Sequence, residues 1–185
     1  MYNWKNNPDL SSKTDGDYTS EVIDFLTSEL SKNPNNYELL FSRGNGYLDL
    51  GKHQDAIIDY SKIISLNFEF DIPSVYNNRG ISYRGTGQFD LAINDFNKAI
   101  KLDANYRDAF NNRGMVLADL GKYKEAIADY TTTIKLDPNY WYAYNNRAMS
   151  YWEMGFIEKA KKDYETVKDL VGHWNVLTLS ILVMF

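Results

Sequence analysis

Apolar side chains along this chain recur every three or four positions, the spacing that gathers them on one face of an α-helix, and large residues alternate with small ones. Leu40/Gly44/Tyr47, Tyr76/Gly80/Tyr83, Phe110/Gly114/Leu117 and Tyr144/Ala148/Tyr151 form four such stripes. Four more follow at Ala56/Tyr60/Ile63, Ala92/Phe96/Ala99, Ala126/Tyr130/Thr133 and Ala160/Tyr164/Val167, with Leu66, Leu102, Leu136 and Leu170 expected to complete them as core. Between the two stripes of each pair stands Gly51, Gly87, Gly121 or Gly155, where a residue without Cβ can take the left-handed backbone that closes a helix. The pattern predicts helix, glycine turn and helix four times over. The small residue midway along each first helix lets a partner helix approach closely.

These pairs are copies of one unit. Tyr76-Asn-Asn-Arg-Gly80, Phe110-Asn-Asn-Arg-Gly114 and Tyr144-Asn-Asn-Arg-Ala148 follow one another in steps of 34 residues, and Leu40-Phe-Ser-Arg-Gly44 precedes them by 36, with two residues inserted around Asp71 and Ile72. The copies cover 37–72, 73–106, 107–140 and 141–174. With this period and this aromatic and small-residue signature, the chain resembles the tetratricopeptide repeat (TPR) family. That resemblance implies an all-α, right-handed α-solenoid of helix-turn-helix repeats. The chain departs from the family pattern between repeats, where the usual proline is present only as Pro138 and is replaced by Phe68, Ala104 and Gly172. The long linker after the first copy is expected to make a looser or differently bent hinge. Residues 17–36 read as a capping helix or the second helix of a degenerate repeat, with Val22, Ile23, Leu26 and Leu30 on one face and Pro34 at its end. Residues 1–16 are polar and expected to be flexible. The tail 175–185 is apolar nearly all round, an exposed hazard unless it packs on the array, on another subunit or on a partner.

Two charge columns run through every copy: Arg43, Arg79, Arg113 and Arg147 on the first helices, and Asp59, Asp95, Asp129 and Asp163 on the second. Opposite charges on the two helices of a hairpin point to a structural ladder of Arg–Asp pairs that sets helix register. As ligand-binding groups, the arginines would first have to give up their aspartates.

Composition narrows the chemistry. Lys and Arg total 20 against 25 Asp and Glu, a net charge of −5, so nucleic-acid phosphates are a poor match as partner. The absence of Cys removes disulfides, thiolate nucleophiles and zinc–thiolate sites together. No secretory leader is evident, the apolar run Val176–Phe185 is too short to span a bilayer, and a cytoplasmic location is the expectation. His53 and His173 are the only histidines, in the first and last repeats, and His53 shares a column with Phe89 and Tyr123 that marks it as a packing residue. Gly46-Tyr-Leu-Asp-Leu-Gly51-Lys52 has the glycine and lysine spacing of a phosphate loop. The next residue is His53 where that loop needs Ser or Thr, and the context is a helix end instead of a strand-to-helix turn. No cofactor, metal or enzymatic activity is expected.

What remains is binding. Resemblance to the family implies a concave groove lined by the first helices, with Asn78, Asn112 and Asn146 on its inner face and Ser42 breaking the series. This is similar to the asparagine ladder of O-linked N-acetylglucosamine transferase, whose amides hold the main chain of an extended peptide. An amide both donates and accepts, so it serves backbone groups of any sequence. Two readings stand for these residues: peptide binding, or bonding within the stack. Asn77, Asn111 and Asn145 are expected to extend the polar lining. The carboxylate clamp of TPR co-chaperones is matched only at Asn45 and Asn78; Phe41, Asp108 and Asn112 occupy its cation columns. Glu38, Asp49, Glu69, Asp108, Asp119 and Glu153 against Arg84 predict an acidic groove, and Phe41, Met115, Tyr142, Met149 and Trp152 are its apolar anchors. The expected activity is that of an adaptor binding a neutral or basic extended segment. The alternative is a structural or oligomerisation module that self-associates through residues 175–185 and the outer faces of the repeats, with the groove idle.

Overall fold

A computed structural model describes residues 20–67 and 72–172. The expectations for residues 1–16, Phe68, Glu69, His173 and the tail 175–185 lie outside the described residues. The described residues are helical throughout their regular elements, with no strand, and divide into two units. Unit 1, within Met1–Leu102, holds α1 (Ser20–Lys32), α2 (Tyr37–Asp49), α3 (His53–Ser65), α4 (Ile72–Gly85) and α5 (Phe89–Leu102). Unit 2, within Asp103–Phe185, holds α6 (Arg107–Asp119), α7 (Tyr123–Leu136), α8 (Trp141–Glu153) and α9 (Ile157–Val171). Consecutive helices pack against each other within each unit, and first helices also touch, α2 with α4 and α6 with α8. This is the hairpin stacking of an α-solenoid.

Each hairpin closes in the same way. Gly51, Gly87, Gly121 and Gly155 have φ of +68°, +75°, +72° and +76°, a conformation that costs a residue with a Cβ about 1 kcal/mol or more. In the first hairpin the Gly51 N–H donates to Leu48 O and the Lys52 N–H to Tyr47 O, at 3.0 and 2.8 Å; the other three repeat the pair of bonds. These bonds satisfy carbonyls that the end of a helix leaves without partners. The chain can then reverse with no polar cost.

The reversed helix brings an aromatic ring against the small residue. A Cβ placed on Gly44, Gly80 or Gly114 would lie 2.8, 2.7 or 2.7 Å from the ring of Tyr60, Phe96 or Tyr130, closer than van der Waals contact permits. Tyr60, Phe96 and Tyr130 are in turn fully buried. In the last hairpin Ala148 and Tyr164 occupy these places and pack in one cluster with Ala160. In unit 1 the core is closed by α1, whose Val22, Leu26 and Leu30 pack with Leu39, Leu40 and Tyr60.

Every arginine of the charge column grips the aspartate sixteen residues on through both nitrogens of its fork. Arg43 Nε and Nη2 donate to Asp59 at 2.8 and 2.7 Å, and Arg79, Arg113 and Arg147 do the same to Asp95, Asp129 and Asp163. Bonding to Asp59 holds the Arg43 guanidinium above its ordinary pKa. A third contact runs backwards along the chain: Nη1 of Arg43, Arg79 and Arg147 donates to Thr27, Ser61 and Thr131 on the preceding helix, at 3.1, 3.0 and 3.0 Å. One side chain therefore ties three helices. Residues 68–71 lie outside the described residues, yet α4 meets α3 through the same arginine-to-hydroxyl bond that joins α8 to α7.

The terminal leucines of the second helices depart from expectation. Leu66 is half-buried, but Leu102, Leu136 and Leu170 are 56%, 36% and 38% exposed. They lie beyond Ala99, Thr133 and Val167, the last fully covered positions of α5, α7 and α9.

Candidate functional site

The first helices of each unit carry the residues singled out for binding. In unit 1 these come from α2 and α4. The Asn36 side chain accepts from the Leu39 N–H at 3.0 Å and caps α2. Phe41, expected as an exposed anchor, is half-buried; it stacks on Tyr37 at 5.8 Å and meets Tyr60 edge-on at 6.2 Å. It is a packing residue that seals the hairpin core. Asn45 Oδ1 accepts from Tyr60 Oη at 2.7 Å and from Asn78 Nδ2 at 3.0 Å, and Asn78 Oδ1 accepts from Asn77 Nδ2 at 3.1 Å. Three amides and a phenol thus join α2, α3 and α4.

In unit 2 the set comes from α6 and α8. Asn146 Nδ2 donates to Asn111 Oδ1 at 3.3 Å, while the Asn111 and Asn145 amides approach the sulfurs of Met115 and Met149. Asn112 and Met115 are half-buried. Tyr142, Met149 and Trp152 stand 51%, 50% and 39% exposed. With Asn145 they fall at i, i+3, i+7 and i+10, one face of α8. The Tyr142 ring stacks on Trp141 at 3.7 Å, so this aromatic is held in place before any ligand arrives.

Asn77 and Asn111 correct the sequence reading. Both are buried: adjacent helical residues point about 100° apart, which in α4 and α6 turns Asn77 and Asn111 into the packing and leaves Asn78 and Asn112 half-buried, whereas in α8 Asn145 and Asn146 are both half-buried. Asn77 and Asn111 form a layer beneath Asn78 and Asn112. Among the expected carboxylates, Asp49, Asp119 and Glu153 are exposed, and Glu38 and Asp108 are half-buried.

Near the start of α6 an open depression of about 530 Å³ is lined by Asn105, Tyr106, Arg107, Asp108, Leu136 and Asp137. Arg107 lies over the Tyr140 ring at 4.2 Å and pairs with both Asp108 and Asp137. The Asn139 backbone N–H, and after it the Arg107 guanidinium, hold the Asp137 carboxyl below the usual carboxylate range. This guanidinium is committed to its carboxylates. His53 is half-buried against α4: a Cβ on Gly85 would lie 2.4 Å from its ring. Among the described residues no group of three His, Asp or Glu side chains is placed to hold a metal, and no helix is long and apolar enough to cross a membrane.

Glycine-closed hairpins in register, each with one Arg–Asp fork, define a helical-repeat protein whose first helices offer amides and aromatic anchors. Models of the family described as tetratricopeptide repeat match residues 37–70, 73–106 and 142–170, and a TPR repeat model matches 114–155. The chain belongs to the tetratricopeptide repeat family. Among solved structures it is similar to MamA, at 27% identity and TM-score 0.76, covering 88% of this chain and 92% of that one. YrrB, described as a TPR protein with an unusual peptide-binding site, aligns at TM-score 0.72 and 20% identity over 95% of this chain and 87% of its own. The second TPR domain of Spaghetti (RPAP3), bound to the HSP90 peptide SRMEEVD, aligns at 30% identity and TM-score 0.53 over 54% of this chain and 93% of that one. No curated protein matches the chain.

Proposed function

We propose that the chain is a non-catalytic adaptor that binds an extended peptide segment, neutral or basic, along the first-helix face of its repeats. The observation that carries this reading is the α8 face, where Tyr142, Met149 and Trp152 are exposed beside the amide of Asn145. Apolar anchors next to groups that both donate and accept suit a partner contributing side chains and main chain together. Solved relatives support it: YrrB is described by its peptide-binding site, and RPAP3 is seen with a bound peptide.

Charge argues against the acidic kind of ligand that RPAP3 holds. SRMEEVD carries three carboxylate side chains, whereas the first helices here present Glu38, Asp49, Asp108, Asp119 and Glu153. Like charges across an interface cost affinity and slow encounter. Asn78, Asn112 and Asn146 are the amides proposed to meet the ligand main chain, each with hydrogen-bonding capacity beyond one neighbour.

A peptide array probed with the full chain tests this. The expected selection is enriched in Lys, Arg and apolar residues, is lost with Met149→Glu, and is reduced with Asn112→Ala. Association should slow as salt is raised. An array that selects no peptide, or selects acidic ones such as SRMEEVD, overturns the reading.

A further inference from the structure

The α8 face is unlike its counterparts. Where Tyr142 stands, the other repeats have Glu38, Ser74 and Asp108; where Trp152 stands, they have Leu48, Arg84 and Ala118. Repeat 4 thus concentrates exposed apolar surface on one helix face, and the nearest apolar chain in sequence is its own continuation. Residues 173–185 contain no Asp, Glu, Lys or Arg, and eight of the ten positions 176–185, all but Thr178 and Ser180, are apolar.

We propose that segment 174–185 of this same chain is an intramolecular occupant of the α8 face formed by Tyr142, Met149 and Trp152. The inference rests on the reading of the first-helix face as a binding surface and names its resident ligand. Three observations support it. The segment leaves α9 at Gly172, and because α8 and α9 form a hairpin, that exit lies beside the start of α8, where Tyr142 is. From Tyr142 to Trp152 the face runs about 15 Å at the helical rise, a length that the apolar run 176–185 covers as a helix and exceeds as an extended strand. The alternative, stacking as the next helix of the array, lacks its tie. α2, α4 and α8 are each bonded to the helix before them by an arginine and a hydroxyl, Thr27, Ser61 or Thr131. The corresponding position of α9 is Glu165, and segment 173–185 contains no arginine.

The chain has no cysteine, so disulfide trapping reports this contact directly. Full-length protein carrying Met149→Cys with Leu179→Cys, or Met149→Cys with Leu182→Cys, is oxidised mildly at low concentration beside partners carrying Glu165→Cys with the same tail positions. At least one Met149 pair should close within the monomer about tenfold faster than the matching Glu165 pair, the gain expected when a tethered segment is held at its site. Faster closure of the Glu165 pairs places the tail on α9, disulfide-linked dimers place it on a second copy, and equal slow rates leave it undocked; each overturns the proposal. Trapping that fails while peptides still bind the array removes only the resident ligand. Trapping that succeeds while no peptide binds removes the adaptor reading.

Discussion

Units 1 and 2 share one ion-pair scheme and differ in how their first helices are joined. In unit 1 the Asn78 amide reaches Asn45; in unit 2 the equivalent Asn146 reaches Asn111. The acceptor has moved from one column to another. Unit 1 has Phe41 in the column of Asn111, and unit 2 has Met115 in the column of Asn45. Each unit therefore keeps one amide acceptor and one apolar side chain, in exchanged places. The difference separates two jobs: the Arg–Asp forks hold the scaffold, and the neighbouring columns can vary provided the half-buried amide of Asn78 or Asn146 still finds a partner.

Breaking the shared part should cost most. Arg79→Leu would strand Asp95, whose side chain is 2% exposed, and should lose about 3–5 kcal/mol in urea unfolding. Arg113→Leu strands Asp129, 9% exposed, and should lose less, about 3 kcal/mol. Equal losses would mean that burial does not set the penalty. Next comes the close approach of helix to ring. Gly80→Ala puts a methyl 2.7 Å from Phe96 and should cost about 1–3 kcal/mol in the same assay, whereas Ala148 already carries its methyl beside Tyr164.

The exchanged columns allow a finer test. Asn45→Met alone removes the acceptor of both Tyr60 and Asn78 in unit 1; adding Phe41→Asn recreates the arrangement of unit 2. A double-mutant cycle should show favourable coupling of about 1 kcal/mol, and additivity would refute the exchange. The smallest effect concerns Asp137 in unit 2, whose column holds Asn67 in unit 1. Its folded pKa is lowered, so its contribution to stability is present above the unfolded value of about 3.9 and fades as pH falls through the folded one. Asp137→Asn should therefore lower the melting temperature slightly at neutral pH, and the difference should vanish once pH has fallen below the lowered folded pKa.

The hairpins were legible because two signals coincide: a fixed period and a glycine column whose positive φ admits few other residues. The charge columns were equally visible as opposite signs sixteen residues apart. The backward bonds to Thr27, Ser61 and Thr131 were not, since hydroxyl residues occur on any helix surface and Ser61 alone differs in type. Burial of Asn77 and Asn111 was not legible in the Asn-Asn pairs alone, since the same pair in α8 leaves Asn145 and Asn146 both half-buried. Phe41 misled because its column is polar in the later copies, and only the rings of Tyr37 and Tyr60 show that here it belongs to the core.

The three-helix grip of Arg43, Arg79 and Arg147 gives the molecule a direction. Each arginine bonds forward to an aspartate in its own hairpin and backward to a hydroxyl on a helix that precedes it in sequence. As the chain emerges from the ribosome, the hydroxyl is already in place when its arginine arrives, and the aspartate follows within sixteen residues. Growth from the N-terminus can thus complete one hairpin before the next is made. Loss of hairpins from the front of the array would leave an arginine without its backward partner, whereas loss from the rear would leave every remaining grip whole.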